Sequence, residues 1–444
     1  MQYENLTQEL VERCLSRGAE SAEVFLDTRR NLSIEVRNGE LETIQESSSH
    51  GVGFRVFREN KMGFSHSNDL SDASLDEAIR SAVDFAGHMT ADEHNVLPDE
   101  TGMTQVEGLF DPDLSGVDMD RKIALAREAE DLALSDARIT KSGGAGYGES
   151  EISVFLANSN GLAKNYRASG CSFGVSVVAE KGDQRSSGGE SCSRRFFGDL
   201  VSPEEVAEEA ARSAYEMLDP RMVSTQRAPV IFDPDVARSL LGGVLGAING
   251  ERVLQGASFL AGRVGEKVAV DNLTIIDDGT RSRGMASSPF DGEGVPTQRR
   301  TIIDAGVLKG FMYNTRVAAR AGVESTGNAS RGGFSSLPGI GPHAFYVEAG
   351  DMDPDDIIAA TPNGLYLKSV TGYGINPVSG NFSGGAQGFW IENGRLAFPV
   401  KGLTVASTAE EMLNGIDMLG NDLDLNRTLT APTFRIREMQ IGGV

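Results

Sequence analysis

Alternating apolar and polar residues in the first half of the chain predict two similar groups of strands and helices. A helical pattern at 5–17 is followed by strand patterns at 22–27, 32–46 and 51–66 and a helical pattern at 75–87. The order recurs as a helix at 121–134, strands at 150–167 and 171–191, and a helix at 203–218. Asn38-Gly39 between two alternating runs is typical of a hairpin. We therefore predict an α+β domain over residues 1–220 with an internal pseudo-repeat of hairpins and helices, and chance similarity of ordinary strand patterns is the alternative.

The second half of the chain is rich in short strand patterns from residue 229 onward. Two helical patterns interrupt them, near 315–322 and 408–415. Hairpin turns are indicated at Asp278-Gly279, Ala305-Gly306 and Asn393-Gly394. Short strands at regular spacing are typical of closed sheets. We expect residues 221–444 to form a second, barrel-like domain of mixed β structure, which gives an α+β fold class overall.

One helical pattern, in the stretch LLGGVLGAING at 240–250, is unusually rich in glycine. Asp233 and Pro234 predict its N-cap and first helical position, and apolar residues from Ala237 to Ile248 follow the spacing of one buried face. Each glycine inside a helix costs about 1 kcal/mol relative to alanine. No histidine, cysteine or carboxylate lies between Leu240 and Gly250. The pattern predicts a buried helix over 236–249 without reactive side chains.

Length and composition indicate a soluble cytoplasmic protein. The chain has 444 residues with 39% hydrophobic residues, and no run approaches the ~20 apolar residues of a membrane-spanning helix. Charges in MQYENLTQELVERCL occupy the place where a signal peptide has its apolar core. Cys14, Cys171 and Cys192 are too scattered for a disulfide framework, so we expect buried, reduced thiols.

The net charge of −23 argues against binding to polyanions. Such a surface repels phosphate backbones and anionic lipid. We therefore expect no nucleic-acid partner and no membrane partner.

The sequence offers few groups for catalysis. Its five histidines are His50, His66, His88, His94 and His343, and only His88 and His94 lie close together, in GHMTADEHN. Their spacing fits neither a helix nor a hairpin that would hold one metal ion, so an exposed loop is the simpler interpretation. No Gly-x-Ser-x-Gly turn occurs. GAGYG, at 144–148, lies before a predicted strand and not between a strand and a helix, as a dinucleotide loop requires.

An acidic loop, ASSPFDGEGVPTQRRT at 286–301, is the most suggestive polar segment. Asp291 and Glu293 flank a glycine, and Arg299 and Arg300 follow closely. Carboxylates held beside arginines could orient the amide groups of a peptide. A surface turn with local ion pairs explains the same residues, and both interpretations stay open here.

Several longer motifs resemble the TldD/TldE (PmbA) family, in order and over nearly the whole chain. They are RGMASSPFDGEGVPTQRRTIIDAGVLKGFMYNTRVAARAG, STGNASR, GINPVSGNFSGGAQGFWIENG, the terminal IREMQIGG and the hairpin VRNGELE. The resemblance implies an N-terminal α+β domain and a C-terminal barrel-like domain. It also implies that two subunits pair around a cavity that accommodates peptides.

The resemblance further implies a division between two kinds of subunit. TldD-type subunits bind zinc through a His-Glu-x-x-x-His helix and a distant cysteine, whereas TldE-type subunits lack both. Counting back from Gly262, Val264, Gly265 and Glu266, which match a shared Gly-x-Val-Gly-Glu, places the zinc-helix positions at Leu241, Gly242 and Gly246. The chain resembles the TldE type, because these positions carry no ligand and no cysteine follows Cys192.

The resemblance predicts a TldE-like, non-catalytic subunit of a heteromeric zinc metalloprotease that acts on unfolded or leader peptides. Zinc is then expected only in a TldD-like partner, with no cofactor, catalytic residue or metal ligand in this chain. Peptide or partner contacts are expected at Asp291, Gly292, Glu293, Gly294, Thr326, Gly327 and Asn328. A stand-alone homodimer that binds peptides or proteins without catalysis is the alternative.

Two further interpretations remain at this point. An independent hydrolase would need other ligands, such as His88, His94 and nearby carboxylates. The family also carries the label of a modulator of DNA gyrase. The charge of −23 makes direct contact with DNA unfavourable, so we expect any such effect to be indirect.

Overall fold

The amino-terminal part forms one six-stranded antiparallel sheet with four helices, in a computed structural model that describes residues 2–372 and 374–444. Its elements are α1 (Gln2–Ser16), β1 (Ser21–Arg37), β2 (Glu40–Arg58), β3 (Lys61–Ser67), α2 (Asp72–His88), α3 (Met119–Ser135), β4 (Ile139–Asn158), β5 (Ala163–Lys181), β6 (Gln184–Arg194) and α4 (Pro203–Tyr215). The strand order is β3-β2-β1-β4-β5-β6. The two hairpin groups therefore meet where β1 pairs with β4.

The pseudo-repeat is confirmed, because each half of this sheet runs helix, three strands, helix. All four helices cover one face of the sheet, as the alternation of side chains in β1 demonstrates. Val24 and Leu26 pack in the apolar cluster of α1 and α2, and Ile34 and Val36 pack in the cluster of α3 and α4. Residues of the opposite face, such as Phe25, pack against the carboxy-terminal part.

In both halves of the sheet, a glycine in the outer strand lets a helix pack closely against that strand. A Cβ atom at Gly63 in β3 would lie 1.9 Å from the Ala82 carbonyl oxygen of α2. A Cβ atom at Gly188 in β6 would lie 2.3 Å from the Ala214 amide nitrogen of α4. In each half the strand glycine therefore lets a helix with small side chains approach the sheet backbone closely.

The amino-terminal hairpins mostly follow the sequence pattern. Asn38 and Gly39 have φ of 52° and 75°, as a two-residue hairpin turn with left-handed residues requires. A second two-residue turn, Glu59-Asn60, joins β2 to β3 inside the segment 51–66 that was predicted as one strand. GAGYG lies inside β4, not before a strand as predicted, because β4 begins already at Ile139.

The carboxy-terminal part contains a closed ring of five strands. Its elements are β7 (Gln226–Phe232), α5 (Pro234–Ala247), α6 (Gly250–Leu254), β8 (Ile275–Asp278), β9 (Arg299–Asp304), β10 (Val307–Leu308), α7 (Thr315–Ala321), β11 (Ala329–Ser330), β12 (Gly339–Ile340), β13 (Ala344–Val347), α8 (Pro354–Ala359), β14 (Asn363–Thr371), β15 (Asn381–Glu392), β16 (Arg395–Thr408), α9 (Ala409–Gly415), β17 (Ile416–Leu419), β18 (Leu429–Thr430) and β19 (Phe434–Gly442). Strands β16-β15-β14-β7-β19 lie side by side, and β19 pairs again with β16. The predicted barrel-like mixed sheet is confirmed, since β7 and β14 are parallel and the other pairs of the ring are antiparallel.

A second sheet, β10-β9-β8-β13-β18, lies beside the ring. The predicted helices near 315–322 and 408–415 are α7 and α9, and the turns at Ala305-Gly306 and Asn393-Gly394 are confirmed by their positive φ. The hairpin predicted at Asp278-Gly279 is wrong. Strand β8 ends at Asp278, but its partner β9 begins only at Arg299, after a long connection that carries the acidic loop. Within the described residues, no helix is long and apolar enough to cross a membrane.

The glycines of β3 and β6 generate a stability prediction. Gly63→Ala and Gly188→Ala each push a helix off the sheet, and we expect each to lower the free energy of unfolding by about 1–3 kcal/mol. Gly87→Ala in α2 is the matched control, because no atom lies within 4 Å of its Cβ position. Denaturant unfolding checks this, and equal stability of all three variants would contradict the packing role.

Candidate functional site

Helix α5, the glycine-rich helix of the sequence, begins where its capping residues predict. The Asp233 carboxylate accepts a hydrogen bond from the Asp235 amide at 3.0 Å, and Pro234 is the first helical residue. The same carboxylate accepts hydrogen bonds from Lys368 Nζ at 2.8 Å and from the Tyr366 hydroxyl at 3.1 Å. The start of α5 is thereby fixed to β14 of the ring.

The three positions assigned by resemblance to a zinc helix have different surroundings. Leu241 is fully buried in the main apolar cluster of the carboxy-terminal part. Gly242 is exposed, and a Cβ atom there would have no neighbour within 4 Å. Gly246 lies beside Pro377, whose Cβ atom is 3.1 Å from the corresponding position. None of these side chains has a nitrogen, oxygen or sulfur donor, so this face of α5 does not fit a metal ion.

The glycines of α5 differ in their need for close packing. Gly243 is buried, and a Cβ atom there would lie 2.3 Å from the Cβ atom of Ile375. Gly242, its neighbour in sequence, faces open space. Gly243 is therefore a packing glycine, whereas Gly242 leaves an open spot on the helix surface.

The histidines and cysteines do not assemble into a metal centre within the described residues, where no three His, Cys, Asp or Glu side chains are placed to hold one ion. His94 Nδ1 lies 2.9 Å from Asp92 Oδ1, which orients the ring. The three cysteines are free and buried. Burial raises the pKa of the Cys14 and Cys171 thiols to about 12, which keeps both protonated.

The acidic loop forms a closed turn held by its own aspartate. The Asp291 carboxylate accepts hydrogen bonds from the backbone N–H groups of Glu293, Val295 and Ala329, at 2.9, 3.0 and 2.8 Å. Gly294 has a φ of 88°, which favours glycine at this turn. Asp291 and Gly292 line a cavity of about 170 Å³ between the first sheet and the carboxy-terminal part, together with Phe25, Tyr166 and His343.

A buried ion-pair network joins this loop to the first sheet. Arg55 donates from Nη1 to Glu293 Oε1 at 2.8 Å and from Nη2 to Glu23 Oε2 at 2.7 Å. Arg331 also pairs with Glu23, and it donates from Nε to the Gly292 carbonyl at 2.6 Å. All four charged side chains are at most 5% exposed. Two come from the first sheet and two from the carboxy-terminal part, so the network clamps these parts together.

This network shows that the predicted surface turn, with ion pairs to nearby arginines, is wrong for the acidic loop. Arg299 and Arg300 were expected beside the carboxylates, but Arg299 lies near Asp278 and Glu348 instead. Arg55 pairs with Glu293 across 238 residues of sequence, and Arg331 pairs with Glu23 across 308 residues, which local spacing cannot reveal. The pair of Arg55 and Glu23 is closer, at 32 residues, because these residues are cross-strand neighbours in β1 and β2. The loop is buried and is not a surface turn.

Burial and neighbouring charges shift the pKa values of the two carboxylates in the acidic loop, Asp291 and Glu293. Burial and the neighbouring Glu293 charge raise the pKa of Asp291 to about 7. Burial also disfavours the ionised form of Glu293. The positive charge of Arg55 and the hydrogen bonds from Thr315 and Arg55 outweigh this effect, so the pKa of Glu293 is lowered. Glu293 is thus the ionised partner of Arg55, and Asp291 is a buried carboxyl group held mainly by backbone N–H groups.

The second predicted contact segment is also internally bonded. Thr326 donates to Asn328 Oδ1 at 2.6 Å, and Asn328 Nδ2 donates to Asp277 at 2.7 Å. The Gly327 carbonyl lies 2.7 Å from His343 Nε2. The two segments meet where the Gly292 amide donates to the Ala329 carbonyl at 2.8 Å. The structure thus brings the predicted contact residues together, and their contact with a peptide or partner stays a prediction.

Breaking the buried network should be costly. We expect Glu293→Gln to lower the free energy of unfolding by about 3–5 kcal/mol, because it leaves two buried arginines with Glu23 as the one remaining carboxylate of the network. Glu438→Gln is the matched control, since it breaks an exposed pair with Arg227 and should cost at most about 1 kcal/mol. Denaturant unfolding measures both, and equal losses would refute the clamp.

The two adjacent glycines of α5 should respond oppositely to alanine. Gly242→Ala should stabilise the chain by up to about 1 kcal/mol, because it adds helix propensity without a clash. Gly243→Ala should destabilise it by about 1–3 kcal/mol, because the new methyl group meets Ile375. Thermal unfolding distinguishes the variants, and the packing account fails if both melt alike.

Comparison with known proteins gives three family-model matches along the chain. They are PmbA/TldA metallopeptidase domain 1 at residues 22–86, the central domain at 112–218 and the C-terminal domain at 225–443. A solved structure from Bacteroides thetaiotaomicron, labelled a candidate modulator of DNA gyrase, superposes with a TM-score of 0.90 at 27% identity and covers 99% of this chain and 98% of its own.

Relatives of known name match over almost their whole length. The chain is 31% identical to Metalloprotease PmbA of Escherichia coli O157:H7, over 96% of this chain and 93% of that protein. It is 30% identical to the Metalloprotease PmbA homolog of Haemophilus influenzae, over 98% and 94%. The Metalloprotease TldD homolog of the same Haemophilus is 26% identical, over 96% and 94%. The chain belongs to the PmbA/TldD metallopeptidase family.

Proposed function

We propose that this chain is a TldE/PmbA-like, non-catalytic subunit of a heteromeric zinc metallopeptidase that cleaves unfolded or leader peptides. A TldD-like partner supplies the zinc ion, the general base and the peptide-cleaving activity. This chain completes the chamber that receives the peptide. The complex acts in the cytoplasm and contacts neither DNA nor membrane.

The observation that carries the proposal is the chemistry of α5. A hydrolytic zinc site needs about three ligands, an open position for water and a general base. The positions that the resemblance assigns to a zinc helix hold a buried leucine and two glycines, so these positions can neither bind an ion nor move a proton. No catalytic step is therefore assigned to this chain.

The relatives support a partnership between two kinds of subunit. One Haemophilus strain has both a PmbA homologue and a TldD homologue, and both align with nearly all of this chain. Two related folds in one organism fit a pair in which one copy keeps the chemistry and the other shapes the chamber.

The open surface of α5 at Gly242 supports a role in binding extended chains. An exposed helix glycine lets another backbone come close, and an unfolded peptide offers its backbone N–H and C=O groups along its length. The two loops at 291–294 and 326–328 are the further contacts that we assign to this role.

A stand-alone homodimer that binds peptides or proteins without catalysis is the alternative. A homodimer requires no metal ligand in α5 either. The two proposals differ in the partner, which is a TldD-like chain in one and a second copy of this chain in the other. Co-purification with a TldD-like chain under native expression supports the heteromer, whereas a self-dimer that ignores such a chain supports the alternative.

The proposal makes a direct prediction about activity. The purified chain should leave a fluorescently labelled unfolded peptide intact, because it lacks metal ligands at α5. Addition of a partner with a His-Glu-x-x-x-His helix should produce cleavage that depends on zinc. The control is the partner alone at the same concentration. Full cleavage by this chain alone would refute the proposal and would favour an independent hydrolase.

A further inference from the structure

A narrow cavity of about 130 Å³ lies beside the buried network, because Arg55 forms part of its wall. Arg316, in the first turn of α7, is the other charged residue of the wall, and within the described residues no carboxylate lines this cavity. The apolar part of the wall is formed by Phe57, Met62, Val96, Leu337 and Pro338. The narrow cavity thus combines two positive side chains with an apolar surface, in a chain whose net charge is −23.

One N–H group of Arg55 has no acceptor. Arg55 is 4% exposed, and its two terminal nitrogens donate to Glu293 and Glu23. Its third nitrogen, Nε, is buried and has no hydrogen-bond partner in the part of the chain that the structure describes. A buried N–H group without an acceptor is unfavourable and rare in folded proteins. The narrow cavity therefore favours a ligand that brings an acceptor atom to Arg55.

Arg316 has free N–H groups for the same ligand. Its Nη2 atom donates to Glu251 at 3.1 Å, and its Nη1 atom lies 4.0 Å from Asp92, beyond hydrogen-bond distance. A guanidinium group has five N–H donors, and its hydrogen bonds to a carboxylate are strengthened by both charges. Arg55 and Arg316 can therefore each donate to a carboxylate in this cavity.

A second, wider cavity adjoins the narrow one. It has a volume of about 760 Å³, and both cavities are lined by Met62, Asn95 and Arg316. A volume of this size is typical of binding sites for ligands larger than a single amino acid. Val96 and Leu337, on the wall of the narrow cavity, are 39% and 40% exposed, so this cavity is open to solvent. A chain whose charged group occupies the narrow cavity can therefore continue into the wider one.

We infer that the narrow cavity binds a carboxylate group of a peptide and that the wider cavity receives the adjoining residues. A cavity of about 150 Å³ holds one benzene molecule, so the narrow cavity has room for a carboxylate and a short apolar side chain. Glu23 and Glu293 already bind Arg55, so a single negative charge suits the site better than a phosphate dianion. The inference deepens the proposed function and rests on it for the peptide nature of the ligand.

Binding of matched peptides to the isolated chain tests the carboxylate. The first probe is a short unfolded peptide without acidic side chains, with an uncharged fluorophore at its amino terminus and a final leucine with a free carboxylate. The second probe is the same peptide with a terminal amide. We expect the amide to bind about 10- to 150-fold more weakly in fluorescence anisotropy, which is the contribution of one charge-assisted hydrogen bond.

A third probe distinguishes the two sources of a peptide carboxylate. It is the amidated peptide with one internal glutamate. Binding as tight as that of the first probe assigns the site to side-chain carboxylates as well, whereas binding as weak as that of the second probe assigns it to the chain terminus.

Three variants test the two arginines. Arg316→Gln removes one charge, and Arg55→Lys removes the Nε–H group but keeps the charge. Each should reduce the preference for the free carboxylate about tenfold or more. Arg263→Gln is the matched control, because it breaks a pair with Glu266 at the same 3.1 Å and lines neither cavity. The control should keep the full preference, and circular dichroism should show each variant folded.

An NMR measurement on the wild-type chain decides the matter if Arg55→Lys fails to fold. The Nε–H signal of Arg55 should shift when the free-carboxylate peptide is added and stay in place with the amide. No binding of either peptide, equal binding of both, a preference that survives Arg316→Gln, or tighter binding of inorganic phosphate would overturn the inference. The test needs neither zinc nor a partner, so its failure leaves the cleavage test of the proposed function unaffected.

Discussion

The buried network of Glu23, Arg55, Glu293 and Arg331 is the interaction on which the arrangement of this molecule depends. It places two positive and two negative charges between the first sheet and the carboxy-terminal part, away from water. Such a cluster is tolerable only when every charge has its partner in good geometry. The network therefore fixes how the sheet and the acidic loop meet, and with them the cavity beside Asp291.

Helix α5 differs from this network, because the side of the helix that we considered as a candidate site carries no charged or metal-binding side chain at Leu241, Gly242 or Gly246. Its buried face is an ordinary apolar core, and Gly243 is needed for its packing against Ile375. Its open face at Gly242 has neither a ligand nor a base. The positions that the family resemblance assigns to a zinc helix carry no donor atoms, and for this reason we propose that the chain shapes a chamber while another chain supplies the chemistry.

Much of the fold could be predicted from sequence, because it depends on local signals. Asn38-Gly39, the capping pair Asp233-Pro234 and the alternation in β1 are each encoded within a few residues. The site could not be predicted in the same way. Arg55 and Glu293 lie 238 residues apart, and Arg331 and Glu23 lie 308 residues apart, so no local spacing connects either pair. The hairpin predicted at Asp278-Gly279 is wrong because a turn signal does not reveal how far along the chain the next paired strand begins.

Metal quantification tests the central claim most directly. The chain is purified alone, and again together with a TldD-like partner, and zinc per polypeptide is determined by mass spectrometry after dialysis. The account predicts one zinc ion per heteromeric pair and far less than one per chain for the isolated protein. One tightly held ion for each copy of the isolated chain would contradict it.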